Sequence, residues 1–243
     1  MTPIVEITSL EFDSQLFSLN VKSLDLPEEI SLTGIVDVIL KTDFDLLYVF
    51  SVKRLETEIL QNSPLIVLSY CDEKVVFSGP VQNLVGASCA VKITSNHFKQ
   101  ADVPDLENLA YQSGEFSRFF MDKRIPRKAF KALYSTWLRK SLSGEYADDY
   151  FIAYDGRPVG LLTSSIKENV ARVGLLAVDV HYRGRGIGQG LLSRFAIDMK
   201  EKGIEKVFIP TQRINANACR FYQALGLSEN ENIFIYHCWK KNG

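Results

Sequence analysis

The stretch Val178-Asp179-Val180-His181-Tyr182-Arg183-Gly184-Arg185-Gly186-Ile187-Gly188 separates an apolar run from an amphipathic segment. The run Val170–Val178 predicts a strand at the centre of a sheet, because residues on both of its faces are apolar. The following segment predicts a helix, with an apolar stripe at Leu191, Leu192, Phe195 and Met199. Glycines between a strand and a helix leave backbone N–H groups open at the positive end of the helix dipole. This arrangement is typical of a pyrophosphate-binding loop.

Two other interpretations of the glycines stay open. Gly184, Gly186 and Gly188 are compatible with a simple tight turn. A dinucleotide-binding fold would place such a loop in the first βαβ unit and an acidic residue after the next strand. Here the loop lies late in the chain, and Pro210-Thr211-Gln212 follows the next strand. These features disfavour the dinucleotide-binding interpretation.

Composition limits the classes of function. The chain has 243 residues, 46% hydrophobic and 23% charged, which indicates one large or two small globular domains. Lysine plus arginine total 28 and aspartate plus glutamate total 29, so no bulk charge predicts a nucleic-acid or membrane partner. No apolar run approaches the roughly 20 residues of a membrane span, and no signal peptide is recognisable, so we expect a cytoplasmic protein. Four cysteines and three histidines lack metal-ligand spacing, and no metal site is predicted.

The chain divides into two parts by pattern. Residues 1–95 predict a small N-terminal α/β domain with a helix at Glu28–Lys41 and strands at Asn20–Leu26, Leu46–Val52, Leu65–Tyr70, Lys74–Ser78 and Ser88–Thr94. Gly79-Pro80 predicts a turn between the last two. Residues 96–243 predict a second α/β domain. Its elements are helices at Asp105–Ser113, from Pro126, after the glycines and around Ala218–Leu225, and strands at Tyr150–Tyr154, Pro158–Ser165, Val170–Val178, Lys206–Pro210 and Ile233–Trp239.

The segment LAVDVHYRGRGIGQGLL resembles the acetyl-CoA-binding segment of the Gcn5-related N-acetyltransferase (GNAT) superfamily. Its loop pattern has Gln or Arg, then Gly three positions on, then Gly or Ala two further, and Arg183, Gly186 and Gly188 match. A second family segment follows in the expected order, at Asn215, Ala218, Tyr222 and Gly226. The resemblance extends from about Thr94 to Trp239.

This resemblance implies an α/β (α+β) GNAT fold, with a mixed, mostly antiparallel sheet flanked by helices and an additional N-terminal α/β portion. It also implies acetyl-CoA as cofactor, with pantetheine lying in a V-shaped gap along the central strand. The implied cofactor-binding residues are Leu176, Ala177 and Val178 on the strand, Arg183, Gly184, Arg185, Gly186, Ile187, Gly188 and Gln189 in the loop, and Asn215.

The family mechanism is direct attack of an amine on the thioester, with Tyr222 in the position of the general acid. Alternatively, Tyr222 is a packed core residue, since it shares a helical face with Ala218, Phe221 and Leu225. Asn215 suits a helix N-cap equally well. Many members carry a glutamate base on the central strand, but Val173–Val178 has no acid, so the sequence identifies no base.

The acceptor is predicted to bind the segment Ser113–Pro126, with Ser117, Arg118, Phe119 and Phe120 as substrate-binding residues. Basic and aromatic side chains suit an anionic ligand that bears a ring, and an ordinary solvated loop is the alternative. Three short segments carry a further resemblance: Leu10–Asn20 near the start, Ser117-Arg118-Phe119 before the second helix, and Gly174-Leu175-Leu176-Ala177 on the central strand. With the additional N-terminal portion, they resemble the dTDP-fucosamine acetyltransferases, which acetylate an amino group of a nucleotide-linked deoxysugar. The acceptor is therefore predicted to be an aminosugar nucleotide. A protein or small-molecule amine acetyltransferase and a non-catalytic acetyl-CoA-binding module stay open, as does a homodimer.

Overall fold

A computed structural model describes residues 5–60 and 63–241, which form two compact units. The first unit contains the chain to Val75, together with Gln212–Ile214 and the C-terminal segment from Asn232. The second contains Val76–Thr211 and Asn215–Glu231. The predicted domain boundary between residues 95 and 96 falls within the second unit and stays a prediction. In the described residues, no helix combines the length and the apolar character that crossing a bilayer requires.

The first unit is a sheet with one well-packed helix. Strands β2 and β3 pair in parallel and flank α2 in the chain, while β1 joins β2 and β10 joins β3 in antiparallel pairs. Ile35 and Ile39 of α2 are fully buried, as their helical spacing predicts. The elements of this unit are β1 (Ile7–Ser9), α1 (Glu11–Phe17), β2 (Val21–Leu26), α2 (Leu32–Lys41), β3 (Leu46–Ser51), the start of β4 (Ile66–Pro80) and the end of β10 (Ser228–Lys240).

The second unit has strand order β4-β9-β8-β7-β6-β5 and carries the candidate site. Pairs from β5 to β8 are antiparallel and β8 pairs β9 in parallel. Helices α3 and α6 both pack on β7 and β8, and Pro158–Ser164 of β7 are buried on both faces. The elements are β5 (Lys92–Ser95), α3 (Val103–Ser113), α4 (Arg118–Met121), α5 (Arg127–Leu142), β6 (Asp149–Asp155), β7 (Arg157–Lys167), β8 (Val170–Val178), α6 (Ile187–Glu201), β9 (Lys206–Gln212) and α7 (Ala216–Ala224). The predicted mixed, mostly antiparallel α/β fold is confirmed.

Strand β4 corrects a prediction. Leu65–Tyr70 and Lys74–Ser78 were expected as separate strands, but Ile66–Pro80 is one strand of 15 residues. The polar residues in its middle have partners from distant parts of the chain. The carboxylate of Glu73 accepts hydrogen bonds from Arg213 Nε and Asn232 Nδ2, each over 2.9 Å. These partners satisfy the hydrogen-bonding groups of the Glu73 carboxylate. The local sequence pattern takes the polar residues around Glu73 as the end of a strand.

Smaller differences concern element ends. Helix α2 begins at Leu32 rather than Glu28, and β5 covers Lys92–Ser95 rather than Ser88–Thr94. Gly79 lies inside β4, where a Cβ atom would approach Leu227 Cδ2 to 2.8 Å, so close packing explains this glycine. The chain leaves the strand at Pro80 and enters a 3-10 turn, Val81–Leu84.

Candidate active site

Strand β8 parts from its parallel neighbour β9 after the first three of its nine residues. The paired residues are Val170 with Lys206, Ala171 with Val207 and Arg172 with Phe208, although β9 continues to Gln212. On its other side β8 stays paired with β7 to Val178. In the residues that the structure describes, the second half of β8 is therefore unpaired on the β9 side, which opens a gap between the two strands.

A β-bulge lies where the strands separate. Leu162 pairs with Leu176 and Ser164 with Val173, so Gly174 and Leu175 lie opposite the single residue Thr163. A bulge bends the strand that carries the extra residue. A Cβ atom at Gly174 would approach Thr163 Oγ1 to 2.9 Å, so a larger residue would disturb this bend.

The burial of β8 differs from the sequence expectation. Its apolar residues predict burial on both faces, but Arg172 and Gly174 are exposed, and Leu176 and Val178 are only half-buried. Ala177 is buried on the opposite face. The strand has the predicted central position, but the face with Leu176 and Val178 stays partly accessible beside the gap.

The glycine loop, defined as Arg183–Gln189, begins after a 3-10 turn at Val180–Tyr182. Gly184 and Gly186 have φ of 78° and 75°, a left-handed conformation that glycine adopts without steric cost. Gly186 is the N-cap residue of α6 and offers no side chain to cap it. Both arginine side chains fold back on the backbone: Arg183 Nε donates to Val178 O, and Arg185 Nη2 to His181 O, over 3.1 Å each.

The backbone N–H groups of the glycine loop have no hydrogen-bond acceptor within residues 5–60 and 63–241. The loop residues run from Arg183 to Gln189 without interruption. The first bond of α6 is made further on, by Gly190 N–H to Gly186 O. Consecutive open amides at a helix N-terminus bind phosphate groups well, because donors and helix dipole favour the same anion. The loop therefore fits a pyrophosphate.

Helix α7 meets the glycine loop and β8 at one point. A Cβ atom at Gly188 would lie 3.5 Å from Phe221 Cζ and 3.8 Å from Val178 Cγ2. Phe221 in turn stacks beside the ring of Tyr222, with centroids 5.4 Å apart. These are ordinary van der Waals distances, so the first turn of α6 lies beside both α7 and the end of β8, and a small side chain would fit at position 188.

Tyr222 is 5% exposed and packs against Phe77, with ring centroids 5.4 Å apart. Its hydroxyl forms no hydrogen bond with any described residue. Burial raises the pKa of the phenol above its ordinary range, and Cys219 adds to the effect. The packing agrees with a core tyrosine, while a protonated hydroxyl without a partner agrees with a proton donor. The assignment of Tyr222 as the acid stays a prediction.

Asn215 is the N-cap residue of α7. Its side-chain oxygen accepts a hydrogen bond from Ala218 N–H over 3.2 Å. The capping interpretation of this residue is therefore observed. A contact between the side-chain amide nitrogen of Asn215 and the cofactor stays a prediction.

The predicted acceptor segment contains a short helix, α4, that the sequence pattern did not reveal. Ser117 precedes it, is 5% exposed, and its hydroxyl has no hydrogen-bond partner among the described residues. The Arg118 guanidinium lies 4.2 Å from the ring centroid of Phe119. Phe119 is buried and packs edge-on against Trp137, so its ring is engaged in the interior. Phe120 is half-buried, with the Arg127 guanidinium 3.5 Å from its ring centroid.

Sequence reasoning missed several basic residues beside this segment. Helix α5 exposes Arg127, Lys128 and Lys131, close in sequence to the exposed Lys123 and Arg124. Asp122, the acid among them, is buried, and its carboxylate accepts a hydrogen bond from the Arg124 N–H. The concentration of basic residues between positions 123 and 131 is the sequence signal that indicates this surface. These residues give the surface a positive charge.

A mixed sheet with a gap beside its central strand and a loop of open amides at the strand end is typical of transferases that use acyl-coenzyme A. Residues 110–227 match the acetyltransferase (GNAT) family. Members of the family bind acetyl-CoA. The matched range includes β8, the glycine loop, α6 and α7.

Two curated relatives are similar in sequence. The spore coat polysaccharide biosynthesis protein SpsD of Bacillus subtilis (strain 168) is 26% identical over 57% of this chain and 48% of its own length. The [Ribosomal protein bS18]-alanine N-acetyltransferase of Escherichia coli (strain K12) is 22% identical over 38% of this chain and 65% of its own length. The chain thus matches less than two thirds of either relative.

A solved structure has a similar fold. The Gcn5-related N-acetyltransferase from Sphaerobacter thermophilus superposes with a TM-score of 0.54 at 15% identity. The superposition covers 97% of this chain and 76% of the other. This likeness supports the fold and carries no information about the acceptor.

Proposed function

We propose that the protein is an acetyl-CoA-dependent N-acetyltransferase that acetylates the amino group of a nucleotide-linked amino-deoxysugar. The observation that carries the proposal is the uninterrupted series of open amides from Arg183 to Gln189, at the end of a strand that has left its neighbour. Family membership of residues 110–227 supports the same chemistry.

The chain offers suitable groups for each part of acetyl-CoA. The glycine-loop amides would hold the pyrophosphate, and Arg183 and Arg185 lie in the same loop to add positive charge. A Cβ atom at Gly184 would meet nothing within 4 Å, so the loop backbone is open to a ligand. The backbone of Leu176, Ala177 and Val178 would bind the pantetheine along the unpaired side of β8.

The proposed reaction needs a good electrophile and a proton donor. Bound acetyl-CoA would supply an acetyl thioester as the electrophile for the amine. Tyr222, which keeps the proton on its buried hydroxyl, would donate it to the sulfur as the thioester bond breaks. The amine nitrogen would release one proton to solvent as its bond to the acetyl carbon forms, and solvent would return a proton to the Tyr222 phenolate. The amine must arrive uncharged, and a sugar amine of modest basicity does so more readily than a lysine with a pKa of about 10.4.

The acceptor class rests on charge. Arg118, Lys123 and Arg124 provide cations for the two negative charges of a nucleotide diphosphate, and Phe120 provides a half-buried ring. The buried hydroxyl of Ser117 has no hydrogen-bond partner within the described ranges and suits a polar group of the acceptor. The similarity to a polysaccharide biosynthesis protein agrees with a sugar acceptor.

A peptide or protein amine is the second candidate. It is favoured by the similarity to an enzyme named for acetylating an alanine of a ribosomal protein. The basic surface of α4 and α5 distinguishes the two, because an acidic sugar nucleotide complements it and a neutral peptide N-terminus does not.

The test is a thiol-release assay with acetyl-CoA and a panel of aminosugar nucleotides, free amino acids and peptides. We expect release only with aminosugar nucleotides, accompanied by product that has gained one acetyl group. Efficient acetylation of a peptide N-terminus, with every aminosugar nucleotide refused, would transfer the assignment to the second candidate. Binding of CoA without transfer to any amine would favour a non-catalytic module.

A further inference from the structure

Asp179 follows β8 and forms hydrogen bonds with β7 and with the 3-10 turn that leads into the glycine loop. It is 3% exposed, and its backbone N–H donates to Val159 O on β7 over 2.9 Å. One carboxylate oxygen accepts from the His181 N–H over 2.9 Å, which caps the 3-10 turn that precedes the loop. The other accepts from Arg157 Nη2 over 2.7 Å.

Arg157 bridges this carboxylate to helix α3. Its Nη1 atom donates to Asp105 Oδ1 over 3.1 Å, so one guanidinium joins β7, α3 and the residue that caps the 3-10 turn. Tyr182 lies between two guanidinium groups, with its ring centroid 5.7 Å from Arg157 Cζ and 4.7 Å from Arg185 Cζ. The arginine thus contacts both ends of the turn that leads into the glycine loop.

Helix α3 holds the same turn at a second point. Gln112, near its C-terminal end, accepts a hydrogen bond from the Val180 N–H through Oε1 over 3.0 Å. At the other end of α3, Asp102 accepts from the hydroxyl of Tyr154 over 2.6 Å. A helix attached at both ends provides a rigid support for the segment that it holds.

We propose that Arg157 and Gln112 are positioning residues that hold the turn Val180–Tyr182 against α3 and so keep the glycine-loop amides arranged for pyrophosphate. The inference rests on the proposed function, because it assigns how that cofactor site is maintained. Neither residue belongs to the family segments that identify the loop.

The ion pair between Arg157 and Asp179 gives Arg157 a second effect on the proposed cofactor site. Burial alone would raise the pKa of Asp179, but the hydrogen bonds from Arg157 and His181 keep it below its ordinary value. The carboxylate is thus charged near neutral pH. Loss of the guanidinium would leave a buried negative charge with only the His181 N–H as a partner, one turn before the loop that is proposed to receive phosphates. Phosphate binding should weaken for that reason as well as through loss of positioning.

The experiment compares Arg157→Gln with Arg139→Gln. Arg139 also pairs with a carboxylate of α3, Glu107, over 2.9 Å, but in the described part of the chain it forms no hydrogen bond or ion pair with the glycine loop. CoA affinity is measured by calorimetry, and amide hydrogen exchange follows the loop in the absence of ligand. We expect the Kd for CoA to rise about tenfold in Arg157→Gln, or about 1.4 kcal/mol, and to stay at the wild-type value in Arg139→Gln.

Kinetics separate positioning from catalysis. At saturating acetyl-CoA, kcat of Arg157→Gln should stay near wild type while KM for acetyl-CoA rises. Arg157→Lys should recover part of the affinity, because one ammonium restores a charge beside Asp179 without bridging both carboxylates. Gln112→Leu, which removes only the acceptor for Val180 N–H, should raise the Kd for CoA without changing local charge. If Arg157→Gln does not fold, Gln112→Leu tests the positioning role in its place.

The outcomes distinguish this inference from the proposed function. If the wild-type protein does not bind CoA, the proposed function itself fails. If the wild type binds CoA and both Arg157→Gln and Gln112→Leu bind it equally well, the positioning role is wrong and the proposed function stands. An equal loss of affinity in Arg139→Gln would also overturn the positioning role, because a general effect on α3 would explain it.

Discussion

The Leu175 N–H on β8 donates its hydrogen bond to the side chain of Thr163 on β7, over 2.8 Å to Oγ1. At this point two residues of β8 lie opposite one residue of β7, so the regular backbone ladder is interrupted. A side-chain hydroxyl supplies the missing acceptor for a buried amide. The bulge can therefore exist at low cost, at the position where β8 leaves β9.

Thr163→Val tests the importance of this bond. Valine keeps the shape of the side chain but leaves the Leu175 N–H without an acceptor, and a buried unsatisfied donor costs about 1–3 kcal/mol. We expect the free energy of unfolding, measured with urea, to fall by an amount in that range.

The matched control for Thr163→Val is Thr136→Val. The Thr136 hydroxyl donates to Ala132 O within helix α5, and no backbone amide depends on it. Its loss should cost less than about 1 kcal/mol. Equal losses in both variants would show that the Thr163 hydroxyl has no special role in the bulge.

The parts of the fold with strong local signals were predictable from sequence. The stripe of Leu191, Leu192, Phe195 and Met199 predicts a helix face, and all four side chains are fully buried in α6. The strand Val170–Val178 has the predicted bounds, because apolar residues and turn residues delimit it clearly.

Features that depend on distant partners were not predictable. The continuity of β4 depends on Arg213 and Asn232, which lie far along the chain from the Glu73 that they bind. Likewise, the glycine spacing predicted a phosphate loop, but its connection to α3 through Gln112 and Arg157 is a tertiary contact without a local pattern. Hydrophobic periodicity indicates which residues are buried, and it gives no information about such polar partners.

Gly186→Leu tests the cofactor loop. Gly186 has a φ of 75°, which costs an L-residue about 1–2 kcal/mol, and a Cβ atom there would lie 3.8 Å from Ser88 O, so a leucine would strain the backbone of the proposed phosphate loop. Gly203→Leu is the control, because Gly203 has the same φ of 75° beyond the other end of α6. Both variants should lose similar stability, and only Gly186→Leu should lose CoA affinity by calorimetry. Unchanged affinity in a folded Gly186→Leu protein would contradict the assignment of the loop.

Tyr222→Phe tests the proposed acid. The change removes the proton donor and retains the ring that packs on Phe77. Turnover should fall by roughly 10²–10⁴, the usual effect of losing a general acid, while the Kd for CoA stays near wild type. Tyr236→Phe is the control, since this buried hydroxyl accepts a hydrogen bond from the Leu55 N–H and is not expected to contact the cofactor. Wild-type turnover in Tyr222→Phe would favour the core-packing interpretation.

The raised pKa of Tyr222 also predicts a dependence of stability on pH. Burial raises this pKa above the roughly 10 of an unfolded tyrosine, so above pH 10 the unfolded chain releases a proton that the folded chain keeps. The free energy of unfolding should therefore fall as pH rises from about 10 toward the pKa of the folded state. Tyr222→Phe should reduce that slope by up to about 1.4 kcal/mol per pH unit. Urea unfolding between pH 8 and 11 measures it, and identical slopes would refute the prediction.

Arg118→Glu tests the acceptor. If the Arg118 guanidinium meets a phosphate of a sugar nucleotide, charge reversal replaces an attraction with a repulsion. The KM for the sugar nucleotide should rise by at least about tenfold, while the KM for acetyl-CoA stays unchanged. Steady-state kinetics with each substrate varied in turn measure both values.

Lys167→Glu is the control for Arg118→Glu, because it changes the net charge equally at an exposed residue at the end of β7. A rise in KM for the sugar nucleotide in both variants would indicate general repulsion of an anionic substrate rather than a contact with Arg118.

The contact also predicts salt sensitivity: added salt should raise the wild-type KM for the sugar nucleotide and have less effect on Arg118→Glu, since screening weakens attraction and repulsion alike. If Arg118→Glu leaves the KM for the sugar nucleotide unchanged, the α4 segment does not bind the diphosphate, and the basic residues of α5 become the next positions to reverse.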